Sequence, residues 1–321
     1  MKLGIHAYAW CTKWTNEALP LIDKVKNLGM DFIELPLLCL ETFDIGAIKR
    51  RLDEVGLEAV TSTVLSGETD ITSDDAEIRA NGVDYLKACV QATHNIGMKN
   101  FSGVIYSQFV KPAIKRPNEQ VWRYSADCLR QVARFAKDLD IQIGIEPVNR
   151  YETYLVNTCE QAIRLSEMIG EDNVKIHLDT YHMNIEEKSF YDATKLAGDR
   201  LMHYHLCEND RGIPGTGLVD WDSIFKALAE INYQGHAAME SFIDCTDNMN
   251  TWVWRQLAPN GDTLLKEGAA FIRGMQKKYG LLPKKDCGGR RGIVAVANAS
   301  MGKRHNEFVR HGAYDKKLIA E

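Results

Sequence analysis

Four short stretches of this chain end a strand-like alternation on an acid or an imidazole. Ile141-Gln142-Ile143-Gly144-Ile145-Glu146 ends on Glu146, just before Pro147, and Val174-Lys175-Ile176-His177-Leu178-Asp179 ends on Asp179. Leu201-Met202-His203-Tyr204-His205 ends on His205, and His236-Ala237-Ala238-Met239-Glu240 ends on Glu240. Side chains of a strand alternate with period two, so each terminal residue shares a face with Gly144, His177, His203 or Ala238 respectively. The other face, with Ile141, Ile143, Ile145, Met202, Tyr204 and Leu206, suits contact with helices. Burying a lysine, a histidine and an aspartate on one face of the Val174 run would cost several kcal/mol each without partners. Carboxylates from Glu146, Asp179 and Glu240, gathered with the His205 imidazole at one rim, would repel each other unless a cation sat among them. Oxygen donors with one nitrogen suit a hard or borderline divalent ion such as Mn²⁺, Mg²⁺ or Co²⁺, and do not suit a thiolate-bound structural zinc. The competing account pairs each group with a nearby Lys or Arg. Matching parity and depth in four runs favour the shared ion. His177, His203 and His236 read as packed histidines, since they lie deeper on the same faces.

The elements that must position these residues repeat a phrase: the end of a helix, a glycine, then a strand. Leu28-Gly29, Val55-Gly56, Ile96-Gly97 and Ile169-Gly170 each precede an apolar run, and Leu139-Asp140 takes the same place before Ile141. A glycine just past a helix supplies the left-handed closing conformation. Helical faces lie between the runs, as in Val121, Ser125, Cys128, Val132 and Phe135. Thr158 with Gln161 has capping-box spacing, and Asp220 is placed to cap the helix that carries Ile224, Phe225 and Leu228. Strands are expected near residues 3–10, 31–38, 58–65, 100–105, 141–148, 174–181, 201–208 and 235–242, each followed by a helix. That repetition predicts a single α/β domain, a closed (β/α)8 TIM-type barrel over residues 1–283. No Gly-x-Gly-x-x-Gly follows the first strand, which argues against a dinucleotide-binding sheet.

Composition narrows the class. Of 321 residues 45% are hydrophobic and 26% charged, and a net charge of −5 offers no footprint for nucleic acid or an anionic membrane. No apolar run approaches a membrane span, and the N-terminus runs straight into a strand, so neither a membrane segment nor a secretory signal is expected. Eight cysteines without a C-x-x-C pair point to a reduced, cytoplasmic protein. Residues 284–321 hold nine Lys and Arg against four Asp and Glu, and read as a basic, flexible or non-native C-terminal tail.

In such a barrel active residues sit at the C-terminal ends of strands, and the loops beyond contact the substrate. Glu152, His182 and Arg211 lie six, three and six residues past Glu146, Asp179 and His205, and are candidates for gripping a polyol. On spacing alone, ordinary loop ion pairs explain them equally well. Pro214-Gly215-Thr216-Gly217 reads as a tight turn; with no basic cluster in these loops, an unphosphorylated substrate is favoured.

Taken in order, Ile145-Glu146-Pro147-Val148-Asn149-Arg150-Tyr151-Glu152, His177-Leu178-Asp179-Thr180-Tyr181-His182-Met183-Asn184-Ile185-Glu186-Glu187, His203-Tyr204-His205-Leu206-Cys207-Glu208-Asn209-Asp210-Arg211 and Met239-Glu240 resemble the D-tagatose 3-epimerase/D-allulose 3-epimerase family, which includes L-ribulose 3-epimerases. The resemblance covers about residues 1–283. It implies a sugar isomerase/epimerase-like barrel that epimerises free ketoses at C3 with one divalent metal per subunit, Mn²⁺ or Co²⁺ favoured and Mg²⁺ admitted. By it Glu146, Asp179, His205 and Glu240 match the metal ligands, and Glu152, His182 and Arg211 match the residues holding the sugar's O1–O3 end. It also implies a homodimer or homotetramer. The chain departs from its relatives around the far end of the sugar, where His6 and Tyr8 on the first strand and Phe109 after the fourth become candidate substrate contacts.

The chemistry then asks for two bases. The C3 hydrogen of a ketose is acidic because C2 is a carbonyl, and inversion needs an acid on one face of the planar enediolate and a base on the other. Glu146 and Glu240 are assigned those roles, with Glu152 as a proton relay. An aldose–ketose isomerase of the same superfamily and a non-catalytic sugar-binding barrel are the rivals. An apurinic-site endonuclease would want more rim histidines and a basic face.

Overall fold

Eight parallel strands close on one another in chain order, each hydrogen-bonded to its sequence neighbour and the first to the last. They are β1 (Lys2–His6), β2 (Phe32–Pro36), β3 (Glu58–Leu65), β4 (Asn100–Gln108), β5 (Gln142–Ile145), β6 (Val174–Asp179), β7 (Leu201–His205) and β8 (His236–Met239). The helices between them are α1 (Pro20–Asn27), α2 (Ile45–Val55), α3 (Ala76–Asn95), α4 (Glu119–Asp138), α5 (Cys159–Ile169), α6 (Thr180–Glu186), α7 (Phe190–Ala197), α8 (Trp221–Glu230) and α9 (Gly261–Tyr279). The structure is a computed structural model that describes residues 1–111, 115–244 and 253–283. The expected basic tail, with Cys287, and the residue Cys245 lie outside the described residues.

Local chemistry accounts for the breaks. Gly56 and Gly170 close α2 and α5 at φ +64° and +74°, and Asp140, at φ +57°, does the same without a glycine before β5. The Thr158 side chain accepts from Gln161 N while Gln161 caps the Thr158 amide in return, and Asp220 accepts from Ser223 N at the head of α8.

Two cores result. The larger lies between strands and helices and takes the outward residues, among them Ile5, Ile33, Leu35, Ile143, Ile145, Ile176, Leu178 and Tyr204. The smaller, Phe32, Val60 and Ala238, floors the barrel interior. Gly4 makes room for it: a Cβ there would lie 2.7 Å from the Phe32 ring.

Six of the strands are shorter than expected, whereas β3 keeps its expected span and β4 runs on to Gln108. Glu146 and Glu240 are the first residues beyond β5 and β8, not their last, although Glu146 N still donates to Gly103 O on β4 at 3.2 Å. β1 stops at His6, and Ala7–Ala9 form a 3₁₀ turn. Met202 departs from the expected alternation. The β6–β7 register shifts between Ile176 and His177, pairing Leu201 with Ile176 and His203 with His177. Met202 is the extra residue, and it fills space beside Gly144, where a Cβ would lie 2.9 Å from Met202 Cε.

Candidate active site at the C-terminal rim of the barrel

Above the apolar floor the barrel interior turns polar, with His6, Glu34, Ser62, His177, His203 and His205 all buried. Beyond this layer Glu146, Asp179 and Glu240 converge on His205. The buried Nδ1 of His205 lies 3.5 Å from Glu146 Oε1, 3.7 Å from Asp179 Oδ2 and 3.4 Å from Glu240 Oε2, and makes no hydrogen bond. Donor atoms roughly 2.1 Å from one ion and 90–110° apart would lie about 3.0–3.5 Å from each other. An unbonded imidazole nitrogen with two carboxylate oxygens at that spacing and a third slightly beyond it fits a divalent cation. Glu146, Asp179 and His205 bring one ligand atom each within 4.8 Å of one another, a group able to hold a metal ion.

The rim is not held by acids alone. Arg211 Nη1 donates to Asp179 Oδ2 at 2.8 Å and to Glu240 Oε2 at 2.7 Å, so part of the competing account, pairing with a basic residue, is also realised. Glu146 has no such cation among the described residues; ring nitrogens of His205 and His177 lie near it. The electrostatics divide accordingly. Burial pushes the Glu146 carboxyl up against the pull of His205, whereas for Glu240 the same burial is outweighed by His205 and Arg211, which bring it to about 2. Burial is likewise outweighed at Asp179, where Arg211 holds the carboxyl well below its usual range.

The loop candidates meet the same cluster. His182, on α6 directly after β6, lies 3.6 Å from Asp179 and 3.9 Å from Glu152 through Nε2, and Arg211 Nη2 reaches that nitrogen at 3.2 Å. Asn149 donates to Glu152 Oε1 at 2.8 Å and so fixes the loop after β5. The Arg211 guanidinium stacks over Tyr181, 4.1 Å from its centroid. His6 and Phe109 are placed differently. His6 is 1% exposed, its Nδ1 accepts from Tyr8 N and its Nε2 faces Ser62 Oγ at 3.0 Å, so both ring nitrogens are taken by the protein. Tyr8 stacks on it at 3.8 Å and Phe242 lies beyond. Phe109 lines a cleft of about 320 Å³ with Leu38, Val64, Leu65, Ser66, Thr69 and Tyr85, and none of the rim acids borders that cleft.

The sequence reading passed over two acids. Glu34, 0% exposed in the middle of β2, accepts from His205 Nε2 at 2.9 Å. Glu208, also 0% exposed, accepts from Gly215 N, Val219 N and Trp221 Nε1 at 2.8, 2.9 and 3.1 Å, and draws the loop that carries Arg211 onto itself. Arg211 sits in that loop at φ +67°, with its carbonyl oxygen held by Ser241. The signal for Glu34 was a carboxylate inside the otherwise apolar Phe32-Ile33-Glu34-Leu35-Pro36.

This barrel and rim place the chain among the xylose isomerase-like TIM barrels, whose family model matches residues 22–275. The ketose 3-epimerase of Arthrobacter globiformis is 36% identical over 281 residues, covering 85% of this chain and 96% of that protein. The L-ribulose 3-epimerase of Mesorhizobium japonicum is 33% identical over 276 residues, covering 84% and 93%. A solved D-allulose 3-epimerase from Methylomonas sp., in complex with D-allulose, matches with a TM-score of 0.82 at 35% identity, covering 86% of this chain and 97% of that one. The chain belongs to this barrel family and, within it, to the ketose 3-epimerases.

Proposed function

We propose that the rim cluster inverts C3 of free ketoses, such as the pairs fructose/allulose, tagatose/sorbose and ribulose/xylulose, with Glu146, Asp179, His205 and Glu240 holding one divalent ion. The observation that carries this reading is the unbonded His205 Nδ1 with three carboxylate oxygens 3.4–3.7 Å away. Membership of the ketose 3-epimerases supports it. Oxygen donors with one imidazole favour Mn²⁺ or Co²⁺ and admit Mg²⁺. When bound, that ion supplies a Lewis acid that stabilises negative charge on the ketose O2.

The residues do the rest. One of Glu146 and Glu240 removes the C3 proton, and the C–H electron pair moves into a C2–C3 double bond as O2 gains charge. The other delivers a proton to the opposite face of C3, and in the reverse direction the two exchange roles. They stand just past the ends of β5 and β8, three strands apart around the barrel, which suits attack from two sides. Arg211 and His182 are placed to hold the O1–O3 end, and Glu152, beside His182, to pass protons among the oxygens. Tyr8, stacked on His6 and beside Phe242, is the far-end contact favoured among His6, Tyr8 and Phe109.

The finer setting is read from the surface and the thiols. A homodimer or homotetramer is part of the same proposal, with Trp254, Leu218 and Tyr151, 87%, 81% and 72% exposed, as candidate contacts for a second copy. A reduced, cytoplasmic setting is supported by the free thiols of Cys11, Cys39, Cys89, Cys128, Cys159 and Cys207. No helix among the described residues is long and apolar enough to cross a membrane.

Incubating the protein with a ketose in deuterated water tests the reaction. Deuterium at C3 of both epimers is the expected result. Label at C1 or C2 would make the protein an aldose–ketose isomerase, and no label would make it a binder.

A further inference from the structure

Glu34 is a fully buried acid of the barrel interior, and the rim chemistry does not use it. It comes from β2, where all five residues are buried, and its register partner on β1 is His6. Its carboxylate crosses the interior to β7, a strand it does not border, and meets residues 169 and 171 positions away in sequence. One oxygen, Oε2, lies 2.8 Å from His203 Nε2 and 2.9 Å from His205 Nε2. The other, Oε1, makes no hydrogen bond and lies 3.7 Å from His6 Nε2. His203 in turn is tied through Nδ1 to His236 O at 3.1 Å.

A carboxylate facing one nitrogen of an imidazole decides what the other can do. With Glu34 accepting from His205 Nε2, the proton of the neutral ring belongs on Nε2, and Nδ1 keeps its lone pair. Nδ1 is the nitrogen that Glu146, Asp179 and Glu240 surround. The charge of the carboxylate also makes that lone pair more basic, and its position limits rotation of the ring. The His177 ring packs edge-on against His205 at 4.1 Å and helps to hold the same orientation.

We propose that Glu34 is a positioning residue for the metal centre: it fixes His205 as the Nε2–H tautomer, aims Nδ1 at the ion and raises its donor strength. This rests on the reading of the rim as a metal site and deepens it. The rival is that Glu34 only neutralises a buried histidine layer.

The first test titrates metal-stripped full-length protein with Mn²⁺, following free Mn²⁺ by electron paramagnetic resonance, for the parent, Glu34→Gln and Glu34→Asp. Loss of the buried charge in Glu34→Gln should weaken Mn²⁺ binding by about 10–100-fold. Glu34→Asp should recover part of the loss. Glu34→Gln that keeps its near-ultraviolet dichroism and binds Mn²⁺ within twofold of the parent overturns the proposal and leaves the metal site standing. A parent that binds no Mn²⁺ overturns both. A second test needs no variant, so it decides the matter even if the variants fail to fold. Long-range ¹H–¹⁵N spectra of the histidine-labelled parent loaded with Mg²⁺ should place the His205 proton on Nε2, and a proton on Nδ1 overturns the assignment.

Discussion

Nδ1 of His205 lies 3.4 Å from Glu240 Oε2 with no hydrogen bond between them. A buried nitrogen without a hydrogen bond is uncommon, because its desolvation goes unrewarded, and Glu240 Oε2 is itself held by Arg211 at 2.7 Å. Here both point to the space that Glu146 and Asp179 also border. The arrangement makes sense once a cation is the common partner, and that partnership can be checked.

Dialysis against EDTA should abolish epimerisation, and Mn²⁺ or Co²⁺ should restore it. Turnover measured by chromatography of the two epimers, before and after each addition, reads this directly. Activity that survives complete chelation would remove the ion from the reaction.

Substituting either proposed base should cost turnover while the fold stays intact. Glu146→Gln and Glu240→Gln are each expected to lower kcat by about 10² or more, the range for lost acid–base catalysis. Measuring kcat at saturating Mn²⁺ separates lost proton transfer from lost metal. Near-parental turnover in either variant rejects the two-base scheme.

Glu208 makes a stability prediction outside the acid cluster. Its carboxylate receives four N–H groups, from Asn209, Gly215, Val219 and the Trp221 ring, at 2.8–3.2 Å while fully buried, and Glu208→Ala would leave those donors without this acceptor. Hydrogen bonds to a charged group contribute about 1.5–3 kcal/mol each, so the variant should lose on the order of 3–5 kcal/mol. That corresponds to a fall in Tm of roughly 5–15 °C. KM for the ketose should also rise as Arg211 loses its support. An unchanged melting curve would show that the loop holds its shape without this acid.

Much of the fold was legible because the barrel repeats its own punctuation. The glycines after α2 and α5, and Asp140 in the same role, marked where helices give way to strands, and alternation marked the inward faces. Glu146, Asp179, His205 and Glu240 could be found together because each follows an alternating run at the same depth. What escaped the reading depends on contacts that no local pattern records. Glu34 matters through histidines on a strand across the barrel, and Met202 turns inward because β6 and β7 slip by one residue. Nothing in the sequence around His6 shows that its ring nitrogens are engaged within the protein. Tyr8 N and Ser62 Oγ, which engage both its nitrogens, come from the following turn and from β3.

The bonds from Glu208 to the backbone of Gly215 and Val219 have a corollary for substitution. Arg211 is fixed by the inner half of its loop, while the outer half, with Leu218 turned to solvent, makes few demands on the reaction centre. Substitution is therefore open at Thr216 and Leu218, which face solvent, but closed at Gly217 between them, where a Cβ would lie 2.3 Å from Asn209 Oδ1.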